Sequence, residues 1–129
     1  MIIEADNLRL AEVLNFIQSD MDKYRISAEK QQNMIVAVEE IFSNIAQYAY
    51  GEKGNVEIIT SMEDGIYTVT FCDEGKRYNP LKHRDMDLNI PPEKRPIGGL
   101  GIMLIKKFTD MQNYIYRDNC NIFTVGIKI

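Results

Sequence analysis

The sequence contains no tryptophan, one histidine and only two cysteines. Cys72 and Cys120 stand singly, with no CxxC pair and no Cys/His spacing suited to a structural metal. A disulfide framework is therefore excluded as the source of stability, and a reduced, cytoplasmic setting is the expectation. No apolar run approaches the roughly 20 residues that cross a bilayer. The N-terminus lacks the basic and apolar regions of a signal peptide. Positive charge is also short, with 15 Lys+Arg against 19 Asp+Glu. A chain of that sign is not expected to contact nucleic acid directly. Its 129 residues, 45% of them apolar and 26% charged, suit one globular domain spanning 1–129 with a core of its own.

Apolar periodicity supplies the elements. Leu8, Ala11, Leu14, Ile17 and Met21 recur as one helical face, with Asn7 or Asp6 as the cap. Ser27 reads as the N-cap of a longer helix that runs to about Tyr50 and stops at Gly51. Its stripe of Met34, Val38, Ile41, Phe42, Ile45 and Ala49 falls within about 100° on a helical wheel. Met1 to Ile3 is too short to decide as a strand. Val56–Met62 and Ile66–Cys72 alternate as strands, and the Asp64-Gly65 between them is a hairpin signal. A helix over about 100–111 precedes two more strands, Asn113–Arg117 and Ile122–Lys128. The four residues Asp118 to Asn121 between them are expected to form a turn. Helices and hairpins segregated in this way predict an α+β two-layer sandwich, a largely antiparallel sheet with helices on one face.

One stretch fits no period. Between Gly75 and Pro96 lie roughly twenty residues rich in proline and charge, a length that is uncommon in compact domains unless it serves function. It carries Lys76, Arg77, Lys82, Arg84, Lys94 and Arg95 against Asp85, Asp87 and Glu93. A basic loop in an acidic chain suits a cover for phosphates. Gly98-Gly99-Leu100-Gly101 closes it at the start of an amphipathic helix. Three glycines are costly inside a helix, but at its N-terminus they expose amide N–H groups to an anion. The alternative is a hinge or a close packing contact. The spacing matches neither a dinucleotide fingerprint nor a Walker phosphate loop.

Two further places carry chemistry. Glu40 and Asn44 lie one turn apart on one helix face, roughly 110–150° from the centre of the apolar stripe. A carboxylate there can polarise a hydroxyl, and an amide oxygen can complete the shell of a Mg²⁺ held mostly by phosphates and water. The alternative is a solvated helix flank. Asp73 ends a strand and is followed by Glu74-Gly75, which is either turn chemistry or an acceptor for an amino group such as that of adenine. Tyr78 and Asn79-Pro80 then give an aromatic and a turn that can begin a loop folding over a ligand.

Jointly these stretches resemble a known family. Glu-x-x-x-Asn on a helix, Asp-x-Gly-x-x-Tyr-Asn-Pro after a strand and Gly-Gly-Leu-Gly-Ile-x-Leu-Ile opening a helix look like the N, G1 and G2 boxes of the GHKL ATP-binding superfamily. Their wording is closest to the bacterial anti-sigma factor serine/threonine kinases, and the likeness covers about Leu8 to Ile127. The resemblance implies the Bergerat-type ATP-binding fold, with ATP and Mg²⁺ as cofactors. It makes Glu40 the general base, Asn44 the Mg²⁺ ligand and Asp73 the adenine acceptor with Gly75 beside the base. Tyr78 and Arg95 would contact the nucleotide, Gly98, Gly99 and Gly101 the phosphates, and Thr124 would support Asp73. It implies a kinase that binds a sigma factor or other regulator, phosphorylates an antagonist protein, works away from membranes and pairs with a second copy.

The chain departs from the family pattern twice. Tyr48-Ala49-Tyr50 stands where relatives commonly carry His-Ala/Gly-Tyr, and Pro96-Ile97-Gly98 occupies the place of an arginine, leaving Arg95 as the nearest cation. The rival expectation is a binding module that regulates its partner without transferring phosphate. A detached histidine-kinase catalytic domain is a third, disfavoured because no phosphoacceptor helix is present.

Overall fold

Two residues at each hairpin tip decide the register of the sheet. Asp64 and Gly65 have φ of +51° and +74°, and Asp118 and Asn119 have +52° and +62°. Paired positive φ values make type I′ turns, whose twist matches that of the strands they join. The computed structural model describes residues 1–49, 54–82 and 99–129. Its strands are β1 (Ile2–Glu4), β2 (Asn55–Glu63), β3 (Ile66–Asp73), β4 (Met111–Arg117) and β5 (Cys120–Lys128). They form one sheet in the order β1-β2-β3-β5-β4, and every pairing is antiparallel. The helices are α1 (Leu10–Lys23), α2 (Ala28–Asn44) and α3 (Gly99–Phe108). The expected α+β sandwich is what forms.

Alternation sorts the strands between core and open face. Tyr67, Val69, Phe71 and Asp73 of β3 are buried, as are Asn121, Phe123, Val125 and Ile127 of β5. The apolar ones meet Met34, Val38, Ile41 and Phe42 of α2, and Ile102 and Ile105 of α3, in one core. Burying each large apolar side chain contributes about 1.5–3 kcal/mol. The two inward polar residues, Asp73 and Asn121, sit together at the end of the β3–β5 ladder, where they are register partners. An apolar stripe that stops at a pair of polar groups marks the edge of the core.

The helices differ from expectation in detail. Asp6 is the N-cap, its Oδ1 accepting from the Leu8 amide at 3.0 Å, but the first turn (Asn7–Arg9) is 3₁₀. That tighter winding leaves Leu8 88% exposed and shifts the buried face of α1 to Val13, Ile17 and Met21. Ser27 caps α2 as expected, its Oγ accepting from the Lys30 amide. Buried Gln31 locks the α1–α2 turn, its amide donating to Ile26 O at 2.8 Å and Asp22 Oδ1 at 3.1 Å and accepting from Gln18. The α-helical hydrogen-bonding of α2 ends at Asn44, and Ile45–Ala49 continues as a wider π-type turn. Gly51, the expected stop, lies outside the described residues, as do 83–98 of the basic loop. Among the described residues no helix is long and apolar enough to cross a membrane.

Candidate functional site

The structure brings the chemistry-bearing residues together in two clusters. The first joins α2 to the start of α3. Glu40 and Asn44 stack one turn apart on the flank of α2, and α3 packs its glycine-rich first turn against them. A Cβ placed on Gly101 would lie 2.9 Å from Glu40 Oε2 and 3.6 Å from Asn44 Nδ2. A side chain at this third position of α3 would push the Glu40 carboxylate aside, and glycine leaves it in place. The wide turn that follows Asn44 is of a kind found often at functional sites. Burial, and secondarily the charge of Glu39, pushes the Glu40 carboxyl above its ordinary range. A carboxylate with a raised pKa is a better proton acceptor. The first amides of α3 lack helical partners and point outward with the positive end of the helix dipole.

The second cluster is the end of the β3–β5 ladder. Asp73 is buried, and its Oδ1 accepts from the Gly75 amide at 3.0 Å and from Asn121 Nδ2 at 3.0 Å. Burial raises the Asp73 carboxyl, and these two hydrogen bonds oppose the rise. Asn121 Nδ2 also donates to Lys76 O at 3.0 Å and Gly75 O at 3.4 Å. Its Oδ1 accepts from Tyr114 Oη at 2.6 Å and from the Tyr78 amide at 3.1 Å. One asparagine thus holds β3, β4 and the loop that leaves β3. Beyond it, Arg77 lies 4.7 Å over the Tyr116 ring, a cation–π contact that ties the same loop to the edge strand. Asn79 then opens the 3₁₀ turn Pro80–Lys82 by accepting from the Leu81 amide.

Of the residues singled out from sequence, Asp73, Gly75 and Tyr78 meet in this second cluster, and Glu40, Asn44 and Gly101 in the first. Gly99 is the first residue of α3. Gly98 and Arg95 lie outside the described residues. Thr124 does not support Asp73. It faces the other side of the sheet, where its Oγ1 is 2.9 Å from that of its register partner Thr70. Residues alternate in facing along a strand, so an even-numbered position on β5 cannot reach the face that carries Asp73. Asn121 takes the place expected of Thr124. It was missed because the expected turn ran from Asp118 to Asn121, whereas the I′ turn needs only Asp118 and Asn119. The consecutive Asp-Asn pair, both tolerant of positive φ, was the signal for the shorter turn.

The fold is shared with known proteins. Residues 3–127 match a family model described as a histidine kinase-like ATPase domain. A serine-protein kinase RsbW from Bacillus mycoides is 31% identical over 87 residues, covering 64% of this chain and 54% of that protein. An RsbW from Bacillus cereus is 32% identical over 84 residues, covering 61% and 52%. The chain spans about half the length of these curated relatives. Among solved structures, the blue-light activated histidine kinase of Erythrobacter litoralis EL346 superposes with a TM-score of 0.56 at 19% identity, covering 80% of this chain and 31% of that one. The histidine kinase AdeS of Acinetobacter baumannii gives 0.54 at 14%, covering 99% and 67%. At such identities these two establish the fold.

Proposed function

This chain belongs to the histidine kinase-like ATPase domain family, and on that premise we propose that it is an ATP-binding serine/threonine protein kinase of the anti-sigma factor type. It would hold a sigma factor or comparable regulator and phosphorylate an antagonist protein in a partner-switching pathway. The observation that carries this reading is the approach of Gly101 to Glu40 and Asn44. It puts the Glu40 carboxylate and the Asn44 amide beside the start of α3, and a helix N-terminus suits phosphates.

In this scheme Asp73 accepts the amino group of adenine, Gly75 allows the base close to the backbone, and Tyr78 lies at the mouth of the base site. The amides of Gly99 and Gly101 hold phosphate oxygens, with Gly98 and Arg95 contributing from the preceding segment. Asn44, beside the start of α3, would hold Mg²⁺ through its side-chain oxygen, a hard, uncharged donor. When bound, Mg²⁺ offsets the charge that develops on the transferred phosphoryl group. Glu40 takes the proton of the substrate serine or threonine hydroxyl as its oxygen attacks the terminal phosphorus. The bond to the bridging oxygen breaks and ADP leaves. Positioning and electrostatics do most of this work.

Radiolabelled ATP with Mg²⁺ should label the serine or threonine of a cognate antagonist. Tight ATP binding with no label on any cognate antagonist would favour a module that acts by binding alone, the reading to which Tyr48 in place of histidine points.

The close contact at Gly101 makes its own prediction. Gly101→Ala should leave thermal stability unchanged or raised, since alanine gains up to about 1 kcal/mol in a helix. The displaced carboxylate should nevertheless cut phosphoryl transfer by about 10- to 100-fold. Unfolding scans and the labelling assay on the same preparation separate the two effects, and unimpaired transfer would remove Gly101 from the site.

A further inference from the structure

Asn121 uses every hydrogen-bonding position it has. Its amide hydrogens face three acceptors, Asp73 Oδ1, Lys76 O and Gly75 O. Its oxygen faces two donors, the Tyr78 amide and Tyr114 Oη. Because the Tyr78 amide can only donate and the two carbonyls can only accept, the side chain has one allowed orientation, and rotation would break all of these contacts. Asn121 is itself buried, so a lost partner would not be replaced freely by water.

We propose that Asn121 is the positioning residue that sets base preference at this site, favouring amino-purines over oxo-purines. The inference rests on Asp73 being the base acceptor. Asn121 and the Gly75 amide both donate to Oδ1, and Oδ2 is the atom assigned to the ligand. Both partners donate, so they favour the ionised, acceptor-only form of Asp73 against the effect of burial. A ligand must then bring a donor. The exocyclic amine of adenine does, whereas hypoxanthine sets a carbonyl oxygen against the carboxylate, an acceptor facing an acceptor. The same asparagine fixes the loop at Lys76 and Tyr78, so base recognition and the start of the basic loop share one anchor. Among the described residues, no other side chain in the cluster combines these roles. Thr124 faces away, and the hydrogen bond of Tyr114 goes to Asn121.

The test is competition of Mg·ATP and Mg·ITP for the site, measured by displacement of a fluorescent adenine nucleotide. In the unaltered protein ATP should be preferred. In Asn121→Ala the ratio of ATP to ITP affinity should fall by about 10-fold or more, as ATP loses an aligned charged acceptor. ITP, which never used that acceptor, should bind within about threefold of its original affinity. A purely structural role would weaken both nucleotides together and leave the ratio intact, and that result would overturn the proposal. Should Asn121→Ala fail to fold, Tyr114→Phe removes one hydrogen bond from the asparagine oxygen and keeps the ring. It is expected to lower the ratio about threefold, and an unchanged ratio would again be decisive against the idea. Failure of the unaltered protein to prefer ATP would instead count against Asp73 as the base acceptor, and the assignment of Asn121 would fall with it.

Discussion

Glu40→Gln is expected to reduce phosphoryl transfer to a protein serine or threonine by about 10²- to 10⁴-fold, the usual worth of a positioned base. Affinity for Mg·ATP should stay within about threefold, because the amide keeps the shape of the side chain and the proposed role of Glu40 is on the hydroxyl rather than on the nucleotide. The contact with Gly101 makes the isosteric glutamine the right replacement, since alanine would also empty the space beside α3. The pH dependence follows from the same residue. Burial and the neighbouring Glu39 raise the Glu40 carboxyl, so the base is protonated at a higher pH than an ordinary glutamate. The acid limb of the rate profile should therefore lie above the usual carboxylate range, and it should be missing from whatever activity Glu40→Gln retains. Single-turnover labelling across pH reads both effects. A glutamine variant that transfers phosphate at the original rate would show that another group takes the proton.

Asp73→Asn should weaken ATP binding by about 10- to 100-fold. The new amide can keep its oxygen toward Gly75 and Asn121, but its nitrogen then faces the adenine amine, donor against donor. Stability should move the other way. Burial raises the Asp73 carboxyl above its unfolded value, so between the two values the folded protein binds more protons than the unfolded chain. Linkage then makes this residue's contribution to stability fall as pH rises through that window, with the cost fully present at neutral pH. Removing the charge should therefore leave the melting temperature unchanged or higher at neutral pH, and that advantage should vanish in acid, where Asp73 is itself neutral. A variant that binds worse yet melts no lower would identify Asp73 as a group kept for its ligand. A large loss of stability would mean that the carboxylate is chiefly a structural part of the ladder.

The architecture was legible because its signals are local. The stripe of Met34, Val38, Ile41 and Phe42 and the Asp64-Gly65 turn each need only a short window of sequence. Glu40, Asn44 and Gly101 were visible as residue types at suggestive spacings, but only the family resemblance implied that they meet. Their meeting depends on how closely α3 approaches α2, which no periodicity reports. Leu8 was misplaced because a 3₁₀ first turn rotates it out of the stripe. Thr124 was misplaced because the facing of a strand residue depends on register, and register on turn length. Shortening one turn from four residues to two carried Asn121 from a loop into the centre of the cluster around Asp73. Tyr48, Arg95 and Gly98 remain expectations from the sequence.

Calorimetric titration of the protein with ATP, with and without Mg²⁺, tests the central claim most directly. Saturable binding of one ATP per chain that strengthens with Mg²⁺ and is diminished in Asp73→Asn is the predicted result. No saturable heat at millimolar ATP, or binding that ignores both Mg²⁺ and Asp73, would contradict it.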